Sequence, residues 1–199
     1  MANDWQQFGK PSGLMGRMLA RGMNRGHAPF TRWCLSYLDG PVSAALDIGC
    51  GGGGAIRHLL KTYPQAQVDG LDYSEDCVAV ARKTNYKERK RCDIKQGTAE
   101  ANPYPDASLD LVTAFETVYF WSDLPRAFGE IHRVLQEQGR FLLGCELLPS
   151  PTSLKYQEKI PGMKIYDPQE LVTYLEKAGF TKVDLFQGKK ESFCLLATK

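Results

Sequence analysis

From Val42 onward, short apolar segments of strand length alternate with amphipathic segments of helical length. Parallel strands need a crossover connection, usually a helix, so this alternation is typical of a parallel sheet with helices on both faces. Five strands are predicted, within SAALDIG, AQVDGLD, RCDIKQG, SLDLVTAF and GRFLLGCEL. The alternation therefore predicts an α/β fold of the doubly wound, Rossmann-like kind.

Three helices are predicted between these strands. The glycines after the first strand open a helix that runs to about Lys61, and Ser74 is placed to cap the next helix, SEDCVAVARKT. The third helix, LPRAFGEIHRVLQ, repeats apolar residues at the spacing of one helix face, at Leu124, Phe128, Ile131 and Leu135.

The two ends of the chain depart from the alternation. A capped helix, DPQELVTYLEKAGF, is followed by TKVDLFQGKKESFCLLAT, in which the break GKKE is too short for a crossover helix. The last two strands should therefore pair antiparallel and complete a seven-stranded, mostly parallel sheet. The first forty residues read as two helices, Gly13 to Asn24 and Pro29 to Leu38, that form an N-terminal helical lid.

A chain of 199 residues is expected to form one domain. We divide it into an N-terminal helical cap (1–40), a cofactor-binding core (41–148), and a segment (149–199) with a pocket cover, the last helix and the hairpin. Hydrophobic content of 43% and a net charge of +2 are typical of a soluble globular protein. No apolar run reaches the roughly 18 residues of a membrane span, and the N-terminus lacks a secretory signal, so a cytoplasmic location is expected.

The six cysteines are scattered and include no C-x-x-C pair, so neither a zinc site nor a redox motif is predicted. They are interpreted as reduced, buried side chains. Positive charge is less evenly spread, because the segment from Lys10 to Trp33 carries five Lys and Arg residues and no Asp or Glu. A second basic cluster lies between Ala81 and Lys95. Either an anionic partner, nucleic acid included, or a solvated helix face explains these clusters.

The glycine-rich loop after the first strand is the main candidate for a binding site. Gly49, Gly51 and Gly54 satisfy the dinucleotide pattern G-x-G-x-x-G, which taken alone is a weak indication. Asp47 argues against a dinucleotide, because its carboxylate would lie near the pyrophosphate in a poorly solvated crevice. A ligand with a cationic end would instead be attracted to Asp47.

Asp72 ends the second strand, 21 residues after Gly51, where an acid typically accepts hydrogen bonds from ribose hydroxyls. The expected ligand therefore has a ribose and a positive end. S-adenosylmethionine meets both conditions, because it carries a ribose, an ammonium and a sulfonium group and no phosphate.

Four segments in order, LDIGCGGG, GLDYS, GTAEANPYPDASLDLVTAFE and EIHRVLQEQGRFLL, resemble the successive motifs of the class I S-adenosylmethionine-dependent methyltransferases, in particular the small type-11 group. The resemblance covers about Ala45 to Leu148. It implies a transferase that binds S-adenosylmethionine and releases S-adenosylhomocysteine. The implied cofactor-binding residues are Asp47, Gly49, Cys50 and Gly51 around the methionine part, Asp72 at the ribose, Tyr73, Thr98 and Ala99 at the adenine, and Glu116 at the methionyl end.

Two departures from the family pattern stand out. Thr98 occupies a position where the family often has an acid that pairs with the adenine amino group, and QEQG replaces the common Lys-Pro-Gly-Gly before the fifth strand.

Methyl transfer needs a base mainly when the acceptor arrives protonated. The candidate is His27, which lies between the two lid helices next to Asn24.

The predicted acceptor is a small molecule. The segment after the fifth strand, which contains Tyr156, Met163 and Tyr166, is short and is expected to close the acceptor pocket. Two further aromatic residues, Tyr119 and Trp121, are expected either to line this pocket or to pack in the core. His58 and His132 are expected to be surface or packed residues. No metal is expected. An RNA acceptor stays open because of the basic N-terminal segment, although AFETVYF lacks the Asn/Asp-Pro-Pro-aromatic motif of many base methyltransferases. An NAD-type oxidoreductase or a non-catalytic cofactor-binding module is the alternative of a different class.

Overall fold

The computed structural model describes residues 5–9 and 11–199, so the first four residues of the predicted cap and Lys10 of the basic segment lie outside the described residues. The helices within this part of the chain are α1 (Gln6–Gly9), α2 (Gly13–Gly26), α3 (Ala28–Leu35), α4 (Gly54–Thr62), α5 (Glu75–Thr84), α6 (Leu124–Val134), α7 (Leu154–Lys159) and α8 (Pro168–Lys177). The strands are β1 (Ala44–Ile48), β2 (Gln67–Asp72), β3 (Ile94–Gln96), β4 (Leu109–Phe115), β5 (Leu135–Cys145), β6 (Lys182–Gln187) and β7 (Phe193–Thr198).

The strands form one sheet in the order β3-β2-β1-β4-β5-β7-β6. The first five are parallel, whereas β7 lies antiparallel to both β5 and β6. The predicted Rossmann-like sheet with an antiparallel C-terminal hairpin is confirmed. The chain moves outward from β1 to β3 and then crosses back to β4, so the strand order reverses between β1 and β4. Ligands of open α/β sheets bind at such a reversal, beyond the carboxyl ends of the strands.

Helices cover both faces of the sheet because buried side chains alternate along its central strands. Phe141 and Leu143 of β5 belong to the core beneath α6 and α8. Leu142, between them, belongs to the core beneath α3 and α4. The sheet is thus the middle of three layers. The candidate binding site lies at the carboxyl ends of β1 and β4.

The predicted element boundaries hold within a few residues, with three differences. Helix α2 continues two residues beyond Asn24, to Gly26, and α3 ends at Leu35 rather than Leu38. Strand β5 begins at Leu135, four residues earlier than predicted, because Leu135 pairs with Leu109 before the register shifts. The short helices α1 and α7 were not predicted.

All six cysteines are free, and five of them are buried while Cys92 is partly exposed. This agrees with their interpretation as unpaired packing residues. Among the described residues, the helices are all too short or too polar to cross a lipid bilayer.

Candidate active site

A cavity opens at the reversal of strand order, beneath the N-terminal helices. All of the predicted site residues line it except Thr98 and Ala99, which line an adjoining cleft. The cavity and the cleft share Gly49, Asp72, Tyr73, Thr117 and Phe120. They therefore form one elongated site with Asp72 near its middle.

The loop needs glycine for two reasons, its backbone conformation and, at Gly49, its close approach to the facing loop. Gly49, Gly51 and Gly53 adopt φ values of +68°, +52° and +78°, which disfavour L side chains. A Cβ on Gly49 would come within 2.0 Å of Thr117 Oγ1. The backbone amides of Gly49 and Cys50 donate hydrogen bonds to the Leu71 carbonyl, at 2.7 and 3.1 Å, and so tie the loop to the end of β2.

The carboxylate of Asp72 supports the same loop from the cleft side. Its two oxygens accept hydrogen bonds from the backbone amides of Gly51 and Ser74, each at 2.8 Å. Burial raises the pKa of Asp72, and the two amides oppose that shift. A carboxylate has about four acceptor positions, so two remain for a ligand in the cleft.

Asp47 lies on the floor of the cavity, with 2% of its surface exposed. The Thr113 hydroxyl donates a hydrogen bond to Asp47 Oδ1 at 2.6 Å. Burial raises the pKa of Asp47 to about 7, although this hydrogen bond opposes the shift. A buried acid without a cationic neighbour is costly to ionise, so a positively charged ligand would stabilise its ionised form.

Glu116 follows β4 directly and has a positive φ of 58°, which is uncommon for a residue other than glycine. Its Oε1 accepts hydrogen bonds from the Tyr119 hydroxyl, at 3.2 Å, and from the backbone amide of Glu146. Burial raises the pKa of Glu116 to about 7, and nearby His27 opposes this. Tyr119 is buried as a support for Glu116 and does not line the cavity.

His27 lies at the junction of α2 and α3 and lines the cavity. Its Nδ1 hydrogen-bonds the Glu146 carboxylate, and this hydrogen bond is the largest cause of the raised pKa of His27. Ligand-type atoms of His27, Glu116 and Glu146 all lie within 4.8 Å of one another. Since Nδ1 is engaged by Glu146, Nε2 is the ring nitrogen that remains for a bound molecule.

Glu146 was not predicted as a site residue, although the sequence holds a signal for it. It follows β5 just as Glu116 follows β4, and parallel neighbours bring their carboxyl ends to the same edge of the sheet. An acid at both positions therefore indicates two carboxylates in one site.

Asn24 is the second residue whose role was missed. Its Nδ2 donates to the Gly52 carbonyl at 2.8 Å, and its Oδ1 accepts from the Gly54 amide at 3.1 Å. Helix α4 begins at Gly54, and its capping residue Gly53 has no side chain, so Asn24 supplies the missing cap from the lid. A Cβ on Gly52 would come within 2.6 Å of the Asn24 side chain, so lid and loop are in direct contact.

The segment after β5 was predicted to close the acceptor pocket, but three of its large side chains do not line the cavity that the described part of the chain forms. Met163 and Tyr166 are packed in the main core and Tyr156 is exposed, and none of the three lines the cavity formed by the described residues. Trp121 lines the adjoining cleft. His132 packs edge to face on Phe180, as expected of a packed histidine, whereas His58 lines the rim of the cavity rather than open surface.

Comparisons with known proteins agree with this geometry. Residues 46–143 match the type-11 family model described as a methyltransferase domain. The chain is 37% identical over 101 residues to an uncharacterized methyltransferase of Bacillus subtilis, covering 49% of this chain and 38% of that protein. It is 40% identical over 114 residues to the 27-O-demethylrifamycin SV methyltransferase of Amycolatopsis mediterranei, covering 55% of this chain and 41% of that protein. The chain thus spans about two fifths of the length of either relative.

The fold is also found in a solved Haloferax volcanii complex between a methyltransferase activator and a methyltransferase. The TM-score to a chain of that complex is 0.81 at 21% identity, and the match covers 92% of this chain and 93% of that one. The likeness is one of fold, and it extends beyond the residues 46–143 to the lid and the hairpin.

Proposed function

Because the chain belongs to the class I S-adenosylmethionine-dependent methyltransferases of the type-11 group, whose methyl donor is S-adenosylmethionine, we propose that it methylates a small-molecule acceptor held under the N-terminal helices. One observation carries this proposal. A single elongated site joins the predicted donor-binding residues to His27 and Glu146, which lie beneath the lid.

The residues fit the donor by charge and by shape. Asp47 and Glu116 would face the cationic methionyl end, Asp72 would accept hydrogen bonds from the ribose, and the adenine would lie against Tyr73, Thr98 and Ala99. The donor supplies a methyl group on a positively charged sulfur, ready for in-line attack. The two buried carboxylates would be stabilised by that positive charge, whereas a pyrophosphate would meet both of them with like charge.

The side chains under the lid suit an acceptor that loses a proton. His27 Nε2 would accept the proton of an acceptor O–H or N–H as the acceptor atom bonds to the methyl carbon. The imidazolium so formed would be stabilised by Glu146, which also holds the ring in orientation. The carbon–sulfur bond breaks in the same displacement, and its electron pair stays on the sulfur of S-adenosylhomocysteine. The free cysteines support a reducing compartment, so we assign the reaction to the cytoplasm.

Calorimetry tests the choice of ligand directly. S-adenosylmethionine and S-adenosylhomocysteine are expected to bind with micromolar affinity and NAD not at all. A screen of candidate acceptors with labelled methyl donor then tests the activity by looking for donor-dependent product. Micromolar binding of NAD without binding of S-adenosylmethionine would replace the methyltransferase with a dinucleotide-binding protein.

Donor affinity should depend on pH through the two buried acids. Both have pKa values of about 7, and a cationic ligand favours their ionised forms. We therefore expect S-adenosylmethionine to bind about tenfold more tightly at pH 7.5 than at pH 6, the gain expected from deprotonating one such group. Calorimetry over this range measures the change. The Asp47→Asn variant, which keeps an oxygen to accept the Thr113 hydrogen bond, should bind more weakly and with a flatter pH dependence.

The stability of the ligand-free protein should change in the opposite direction. The pKa of Asp47 is raised above its unfolded value, so its stabilising contribution is present at low pH and is lost as pH rises through about 7. Asp47→Asn should therefore unfold at a higher temperature than wild type at pH 8, and the difference should shrink steadily as the pH falls toward 4, where the carboxyl group is protonated in the unfolded chain as well. Equal melting temperatures at pH 8 would show that the Asp47 carboxylate is not destabilised by burial.

A further inference from the structure

A second groove runs along the outer surface of α2, α3 and α4 and is strongly cationic. Its lining includes five exposed basic side chains, those of Arg21, Arg25, Arg32, Arg57 and Lys61. None of the residues that line it is Asp or Glu. Within the described part of the chain, none of the five forms an ion pair.

Some arginines outside the groove are paired with acids, as Arg17 is with Asp76 and Arg133 with Glu130, whereas the five basic side chains of the groove have no such pair among the described residues. His58 lies at the inner side of the groove, and its pKa is lowered by burial first and then by Arg32 and two other cations of the groove. The groove therefore presents a positive potential that no acid among its described lining residues balances.

Helix α2 adds exposed apolar side chains to this charged surface. Leu14, Met18, Arg21 and Arg25 follow one another at intervals of four, three and four residues, so they form one row along the helix. Leu14 is 76% exposed and Met18 is 63% exposed, with Met15 beside them at 56%. The row is apolar at its beginning and cationic at its end.

We propose that this face of the protein binds the surface of an anionic lipid bilayer. Basic residues near such a surface attract the headgroups, and exposed apolar side chains enter the boundary with the acyl chains. RNA is the less suitable partner, because the lining of the groove offers no Phe, Tyr or Trp on which bases stack, and the apolar end of α2 gains nothing from a phosphate backbone.

The groove leads to the active-site cavity. Asn24, Ala28, Gly54 and His58 line both of them. A lipid-soluble acceptor held in the bound bilayer would therefore enter the cavity from this side. That last step rests on the proposed function, whereas binding to the bilayer does not and can be measured without any methyl transfer.

Co-sedimentation with vesicles tests the proposal. The protein should bind phosphatidylcholine vesicles that contain about a third phosphatidylglycerol and should not bind pure phosphatidylcholine. Loss of two cations in Arg21→Ala/Arg25→Ala should weaken binding about 30-fold. The matched control, Arg126→Ala/Lys177→Ala, removes the same charge from exposed positions on α6 and α8 and should bind as wild type does.

A second pair of substitutions separates lipid from RNA. The variant Leu14→Gln/Met18→Gln leaves the net charge unchanged, and glutamine is also a good helix former. It should weaken vesicle binding about tenfold because less apolar surface is buried in the bilayer. RNA binding, measured by gel shift, would be unaffected by this pair. The proposal is overturned by equal binding to neutral and anionic vesicles, by an equal loss in the control variant, or by unchanged vesicle binding of the glutamine variant. Tighter binding to a structured RNA than to vesicles would assign the groove to RNA instead.

Discussion

Asp72→Ala is expected to lose at least about 100-fold in affinity for S-adenosylmethionine, because hydrogen bonds to a carboxylate contribute about 1.5 to 3 kcal/mol each and two ribose hydroxyls would lose theirs. The same substitution frees the backbone amides of Gly51 and Ser74, which the carboxylate now binds. The glycine loop would be less well held as a result. Calorimetry with S-adenosylmethionine measures the loss, and Asp184→Ala on the edge strand β6 is the control.

A loosened loop and a lost ribose contact can be distinguished. Wild type should bind the 2′-deoxy analogue of S-adenosylhomocysteine about tenfold or more weakly than S-adenosylhomocysteine itself. Asp72→Asn, which still accepts one of the two backbone hydrogen bonds, should bind the two ligands with nearly equal affinity. If Asp72→Asn kept the full preference for the 2′-hydroxyl, the ribose would lie elsewhere.

His27→Ala should lower the turnover number about 100- to 1,000-fold, within the range that general bases contribute. The affinity for the donor should change little at a pH at which Glu116 is ionised, because His27 is not itself one of the predicted donor contacts. The assay uses the acceptor found by the screen, at a pH above 7.5 so that Glu116 is ionised in both enzymes. A wild-type turnover number would rule out His27 as the base.

Glu146→Gln tests the positioning role of its carboxylate through the pH profile. Only neutral His27 accepts a proton, so the rate should rise with pH through the pKa of His27, which the Glu146 hydrogen bond raises above its ordinary value of 6.5. Removing the charge of Glu146 should move this rise to lower pH and reduce the plateau. Glu158→Gln, an exposed change on α7, should leave the profile unchanged. A profile that Glu146→Gln does not shift would mean that another group is titrating.

The sequence predicted the sheet, and it predicted residues that line the cavity and its cleft, because both depend on local patterns. Each strand end is marked by the residues around it: Asp72 is the last residue of β2, and Glu116 directly follows β4. The antiparallel pairing of β6 with β7 was likewise predicted from the short break GKKE between them. Features of this kind need no knowledge of what packs against them.

His27 was predicted as a site residue, but its partner Glu146 and the contacts of Asn24 escaped prediction because these contacts join residues that are distant in sequence. His27 and Glu146 are 119 residues apart, and Asn24 reaches the glycine loop across 28 and 30 residues. The segment expected to cover the acceptor instead buries Met163 and Tyr166 in the core, since its apolar residues satisfy either role equally well. No periodicity distinguishes a residue that faces a cavity from one that faces the core.

The hydrogen bonds of Asn24 couple the lid helix α2 to the glycine loop. Movement of α2 away from the sheet removes the acceptor for the Gly54 amide, and with it a restraint on the loop that holds the methionyl end. Entry to the acceptor side and loosening of the donor side are then parts of one motion. If the proposed methyl transfer takes place here, used donor and methylated acceptor would therefore be free to leave from the same open state.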